Sequence, residues 1–304
     1  MLYKTRTIPH ELEVYQYLNT RIKLSEIERK HLFTLRKGFE GEVQFDNLTS
    51  SIHSECFILN DLLLQQNKSI FQIDTLIIAP DTIHLFEVKN FEGDCFYDSD
   101  RLYTKIPPQS EITNPLIQLT RSESLLRQLL QSLGCNLPIQ ALIVFINPEF
   151  TLYQTPINKP FLFHSQINRL FDKFNSTSRK LKTSHKELAE RLLSLHLHDP
   201  PFFLPPSYKY EDLRKGNTCE KCGFFQINIR GTKCMCKECG RMELSETTIM
   251  RNVKELSMLY PEMKITTKTI FEWFQGEIPK RTIGRALKKH MDCKGVRQWS
   301  HYEY

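Results

Sequence analysis

Two short segments set charged side chains inside apolar runs: Phe71-Gln72-Ile73-Asp74-Thr75-Leu76-Ile77-Ile78 and Leu85-Phe86-Glu87-Val88-Lys89-Asn90. Alternate residues of an extended strand share a face. Glu87 and Lys89 therefore lie beside Leu85, with Phe86 and Val88 opposite, and Asp74 shares its face with Gln72, Leu76 and Ile78. Apolar residues on both faces require a sheet covered on both sides. Asp, Glu and Lys in such a sheet cost several kcal/mol unless they pair or hold a metal.

That cost leaves two readings of the segment. One is a buried ion pair, or strand-end residues facing water. The other is a site: two carboxylates at adjoining strand ends offer oxygen ligands to Mg²⁺ or Mn²⁺. A lysine on the same face then orients or deprotonates a water, or neutralises charge on a phosphorane-like transition state.

The surrounding sequence supplies the layers. Helical patterns open at Pro9-His10-Glu11-Leu12 and at Leu24-Ser25-Glu26, and a further one runs through 41–48, where Phe45 and Leu48 lie three apart. Strands are expected over 56–64, 70–79 and 82–89, the last two joined by the turn Pro80-Asp81. Short strands over 97–110, a helix over 115–133, a buried strand over 139–146 and helix over 165–196 complete a mixed α/β layer architecture. Four prolines between Asp199 and Pro206 cannot be helix and mark the main boundary.

Asp74, twelve residues, then Glu87-Val88-Lys89 resembles the signature of the PD-(D/E)xK nuclease superfamily, and more narrowly the nuclease-related domain (NERD) family. Gly41-Glu42, Gln72-Ile73-Asp74, Phe86-Glu87-Val88-Lys89-Asn90 and Asn114-Pro115-x-x-Gln118 stand where that family has its motifs. The resemblance covers residues 35–150, and departs in having Ile73, not proline, before Asp74. It implies a restriction-endonuclease-like core and hydrolysis of a DNA phosphodiester. On that template Asp74 and Glu87 are the main metal ligands, Glu42 helps from the preceding helix, and Lys89 activates water. Gln118 supports the site and Arg121 contacts phosphate; both also read as ordinary polar residues near one helix face.

Of nine cysteines, five crowd together at 219, 222, 234, 236 and 239. Clustered cysteines in a chain of this kind read as metal ligands more readily than as disulfides. Cys219-Glu220-Lys221-Cys222-Gly223 and Cys236-Lys237-Glu238-Cys239-Gly240 are paired CxxCG knuckles suited to a closed, structural Zn²⁺ site. Phe224–Arg230 reads as the strand of a zinc ribbon, and Cys234 is a ligand of poorer spacing.

Charge divides unevenly. Residues 1–213 carry 23 Lys and Arg against 25 Asp and Glu, whereas residues 214–304 carry 18 against 10, a balance of +8. The asymmetry points to a nucleic-acid partner for the last third, with a solubilising surface as the alternative. Residues 245–291 read as helices broken at Pro261 and near Gly276. Helix, turn and basic helix follow helix-turn-helix logic, in which Lys280, Arg281, Arg285, Lys288 and Lys289 face DNA. An ordinary helical hairpin is the other reading; residues 296–302 are expected to form a wing strand.

The expected organisation is a nuclease-related domain with N-terminal helices (1–200), a Pro-rich linker (201–215), a zinc ribbon (216–243) and a helix-turn-helix-like basic domain (244–304). No apolar run reaches membrane-spanning length and no signal peptide opens the sequence, so a cytoplasmic protein is expected. The expected activity is a metal-dependent DNA nuclease; the alternatives are a catalytically silent DNA-binding regulator and an RNA-directed ribbon protein. The resemblance leaves a dimer open.

Overall fold

The chain opens with β1 (Leu2–Lys4), α1 (His10–Arg21) and α2 (Glu26–Thr49) in the computed structural model, which describes residues 1–176, 178–198, 206–225, 227–295 and 300–303. The helices expected from Leu24 and through 41–48 are one: no proline interrupts α2, and both ends of its run carry apolar residues that become buried, Leu32 and Phe45. The structure has two units. The first comprises Met1–Pro9 and Phe33–Phe203, the second His10–Leu32 and Leu204–Tyr304.

In the first unit come β2 (Phe57–Gln66), β3 (Ser69–Ile78), β4 (Ile83–Lys89), β5 (Gly93–Asp98), β6 (Arg101–Thr104), β7 (Glu111–Ile112) and α3 (Pro115–Ser132). Then follow β8 (Ile139–Phe145), β9 (Phe150–Tyr153), β10 (Phe161–Phe163), α4 (His164–Asn175) and α5 (Thr183–Ser194). The expected mixed α/β architecture is present. The main sheet runs β1-β2-β3-β4-β8-β10, and a second sheet runs β7-β6-β5-β9. β2, β3 and β4 are mutually antiparallel neighbours, whereas β8 lies parallel to β4 and β10 parallel to β8.

Both faces of the main sheet are covered. Leu76, Leu85 and Ile143 pack with Leu126 and Leu130 of α3 and Leu188 and Leu192 of α5. On the other face Ile77, Phe86 and Val144 pack with Phe45 of α2 and Ile167 and Phe171 of α4. Each such side chain contributes ~1.5–3 kcal/mol on burial, which is why the strands tolerate so little polarity. Alternation breaks once. Asp61 of β2 has φ +55°, and Phe71 and Ile73 join the same core as Leu76 and Ile78. The kink falls opposite Asp74, between the pairs Asn60–Thr75 and Leu62–Ile73.

The β3–β4 ladder ends at Thr75–Phe86, but β4 stays paired with β8 through Lys89–Phe145. The end of β4 therefore parts from β3, and the gap receives the charged residues of both strands.

The second unit continues with β11 (Ile227–Arg230), β12 (Lys233–Cys236) and β13 (Met242–Leu244), an antiparallel three-stranded sheet. After it come α6 (Ser245–Leu259), α7 (Thr267–Trp273) and α8 (Lys280–His290), then an antiparallel pair, β14 (Asp292–Lys294) and β15 (His301–Glu303). Thr266 caps α7, its hydroxyl accepting the Thr269 N–H at 3.0 Å. Ile283 and Leu287 of α8 are fully buried, as are Ile270 and Trp273 of α7. A lone bridge joins Ile265 to Tyr302.

Helix α1 is bound to α6 by a buried ion pair. Arg21 Nε lies 2.6 Å from Glu255 Oε1, Nη2 donates to Glu255 Oε2 at 2.8 Å, and the guanidinium stands 4.1 Å from the Trp273 ring centroid. Removing either partner would strand a buried charge, at a cost of ~3–5 kcal/mol. The proline cluster at 199–205 and most of the expected wing (296–299) lie outside the described residues. No helix among the described residues is long and apolar enough to cross a membrane.

Candidate active site

Glu42, Asp74, Glu87, Lys89 and Gln118 line one cleft of about 630 Å³ in the first unit. Its floor is the gap between β3 and β4. Asp74 is 5 % and Glu87 1 % exposed. Asp74 Oδ2 accepts the Val88 N–H at 2.7 Å, taking the place of the strand partner that β4 has left. Lys89 Nζ lies 2.6 Å from Glu87 Oε1 and donates to Gln118 Oε1 at 3.1 Å. Gln118, one turn into α3, is thus a second partner of the lysine beside Glu87. Arg121 donates to the Ile70 carbonyl at 2.9 Å and does not line the cleft. Asn114 caps α3, its Oδ1 accepting the Leu116 N–H at 3.0 Å.

Glu42 enters from α2, and two residues explain how. Gly41 is buried against β4: a Cβ there would lie 2.5 Å from Asn90 Cβ. Asn90 in turn donates Nδ2–H to the Lys37 carbonyl at 2.8 Å, fastening the helix to the strand end. The Gly-Glu and Lys-Asn pairs are therefore two halves of one contact.

Arg6, which sequence reasoning did not single out, grips the acidic group from the N-terminal segment. Its Nη1 donates to Glu42 Oε2 at 2.6 Å, Nε to Asp46 Oδ2 at 2.9 Å and Nη2 to the Asp74 carbonyl at 2.7 Å. Nothing local in the sequence marks it: an isolated arginine 36 residues before Glu42 has no motif of its own.

Burial sets the electrostatics. Desolvation, then repulsion from Asp74, pushes the Glu42 carboxyl up to about 8 against the opposing pull of Arg6. The same two causes push Glu87 to about 8, against Lys89. Asp74 is also raised by desolvation, opposed by Lys89 and the Val88 N–H. Burial disfavours the charged Lys89, but Glu87 and Asp74 outweigh it and raise the ammonium above its ordinary value.

One feature of the floor suits a cation. Among the described residues Glu87 Oε2 is buried with no hydrogen-bond partner, an acceptor whose demand the chain leaves unmet. Glu42 is engaged by Arg6, and the oxygens of Glu42, Asp74 and Glu87 are not among the described ligand sets that close to within 4.8 Å.

The four cysteines do close to that distance. Cys219 Sγ and Cys239 Sγ are 3.6 Å apart, as are Cys222 Sγ and Cys236 Sγ. Tetrahedral Zn–S bonds of about 2.3 Å would place sulfurs about 3.8 Å apart. Gly223 and Gly240 both have φ +69°, the left-handed turn each knuckle needs. Cys234 stands outside the set; its buried thiol donates to Ser245 Oγ at 3.5 Å.

On α8 the side chains of Lys280, Arg281, Arg285, Lys288 and Lys289 are all exposed. They are not equivalent. Lys289 pairs with Glu246 at 2.7 Å and Lys280 lies 4.8 Å from the Phe271 ring centroid.

A family model described as nuclease-related domain (NERD) matches residues 37–146. That span holds Glu42, Asp74, Glu87, Lys89 and Gln118, and the match points to a nuclease-related function for this part of the chain. The crystal structure of protein VC1899 from Vibrio cholerae is similar over 57% of this chain and 37% of that one, at 11% identity and TM-score 0.26. This chain thus spans little more than a third of that protein. No curated protein matches it.

Proposed function

We propose that the chain is a metal-dependent DNA nuclease with a restriction-endonuclease-like core, its DNA held by the basic second unit. The observation that carries the reading is the cleft floor: a buried carboxylate pair, an unpartnered Glu87 oxygen, and a lysine partnered by Glu87 and Gln118.

Asp74 and Glu87 would hold Mg²⁺ or Mn²⁺, with Glu42 joining on release from Arg6. When bound there, the ion would supply Lewis-acid chemistry. Lys89 has a raised pKa and is charged at neutral pH, which favours stabilising the phosphorane-like charge over removing a proton. Gln118 fixes its ammonium. Water would attack phosphorus in line and the bond to the 3′ oxygen would break, that oxygen taking up the proton the water gives up, to leave a 5′ phosphate and a 3′ hydroxyl. The four cysteines would hold structural Zn²⁺ in the ribbon, and α8 would enter the DNA groove.

Plasmid, linear and single-stranded DNA incubated with Mg²⁺ or Mn²⁺ test the reading. Wild type should cut and Asp74→Ala and Lys89→Ala should not. Should the metal-loaded wild type leave every DNA form intact, the enzyme reading fails and a silent DNA-binding protein remains.

A further inference from the structure

The mouth of the cleft differs in character from its floor. Phe33 of α2 is 63 % exposed and Ile106, in the turn after β6, is 71 % exposed, and both line the cleft. Single exposed apolar side chains are ordinary. Two of them at the mouth of one cleft, over buried carboxylates, call for a ligand with a flat apolar part. Phe33, Lys37 and Glu42 of α2 all line the cleft, so one helix brings it an exposed ring, an ammonium and a carboxylate.

Depth narrows the ligand. Glu87 is almost fully buried, and bringing a phosphodiester of a duplex towards it requires deforming the double helix, a cost that an unpaired strand avoids. An unpaired strand bends freely, and its exposed bases stack on aromatic side chains.

We propose that this cleft takes an unpaired nucleic-acid strand, with one nucleobase stacked on Phe33 and the adjoining phosphodiester above Asp74 and Glu87. The inference rests on the nuclease reading of the same site and adds its substrate class.

Two measurements on the full-length protein decide it. In the first, a single-stranded oligodeoxynucleotide, the same sequence as blunt duplex, and an overhang-bearing duplex are digested with Mg²⁺ or Mn²⁺. Single strand and overhang should be cut at least about tenfold faster than blunt duplex. Base–aromatic stacking of ~1–3 kcal/mol makes a loss of about 5- to 150-fold the expected effect of Phe33→Ala on the single strand, with Phe33→Trp retaining the rate. Equal rates on blunt duplex, or an unchanged rate in Phe33→Ala, overturn the inference. In the second, a single strand carrying iodouracil is photocrosslinked to Lys89→Met protein with Mg²⁺, and the adduct is mapped by mass spectrometry. A crosslink at Phe33 supports the inference; crosslinks confined to the second unit overturn it. If wild type cuts nothing yet the crosslink maps to Phe33, the nuclease reading falls and the strand site stands.

Discussion

The carboxylate of Asp74 accepts the backbone N–H of Val88 at 2.7 Å, two residues past Phe86, where the β3–β4 ladder ends. The same side chain therefore replaces a strand partner and offers an oxygen to the cleft. These roles separate by substitution. Asp74→Asn keeps an acceptor for Val88 while discarding the charge; Asp74→Ala leaves a buried N–H unsatisfied, at ~1–3 kcal/mol. Urea denaturation should find Asp74→Asn within about 1 kcal/mol of wild type and Asp74→Ala clearly weaker. Both should lose cleavage. Equal stability of the two variants would show that the Val88 contact carries no weight.

Gly41 and Gly38 occupy the same helix and should respond to alanine with opposite sign. Nothing lies within 4 Å of a Cβ at Gly38, so Gly38→Ala should gain the ordinary helix-propensity difference of about 1 kcal/mol. At Gly41 the new Cβ would meet Asn90 Cβ at 2.5 Å, close to the strand backbone and not at a flexible tip. Overpacking of this kind costs ~1–3 kcal/mol, and it displaces the strand end that carries Lys89. Thermal melts of both variants decide it, and a Gly41→Ala protein as stable as Gly38→Ala would refute the close contact.

The metal-free site should make the protein less stable as pH rises. Glu42 and Glu87 titrate at about 8 in the folded chain, against 4.5 for the ordinary side chain. The folded state then binds protons that the unfolded state has already released, so this contribution is full below about pH 4.5 and is lost as pH climbs towards 8. Melting temperature without divalent metal should fall across that window. Mg²⁺ or Mn²⁺ should restore it most strongly at the alkaline end, because the ion takes the place of the protons. Glu87→Gln should flatten the curve. A metal-free profile that rises from pH 5 to 8 in step with a Glu87→Gln control would exclude this coupling.

What sequence made legible here is what depends on local spacing. The alternation through Leu85–Lys89 requires a sheet covered on both faces, and α2 with α4 and α3 with α5 supply the covers. Paired CxxCG knuckles predict converging sulfurs without reference to the rest of the chain. Features set by distant partners stay hidden. Arg6 reaches Glu42 and Asp74 across 36 and 68 residues, and Arg21 finds Glu255 across 234. The kink at Asp61 is equally hidden, because it belongs to the β2–β3 register, where it falls opposite Asp74. Gly41 was visible as a motif letter, but its reason is Asn90.

The basic helix offers a last division. Arg281, Arg285 and Lys288 are exposed at spacings of four and three, on one stripe of α8, and none has an ion-pair partner among the described residues. Lys289 is neutralised by Glu246. If α8 contacts DNA phosphates, the three unpaired cations carry the electrostatic term and Lys289 contributes little. Each phosphate contact adds about 0.9 to the slope of log K against log salt. Replacing Arg281, Arg285 and Lys288 together by alanine should therefore lower that slope by about 2 to 3 and weaken binding most at low salt. Lys289→Ala should leave both nearly as they were. Fluorescence anisotropy of a labelled duplex across a NaCl series reads slope and affinity at once. A triple variant with an unchanged slope would move the DNA contact off α8, whatever the fate of its affinity.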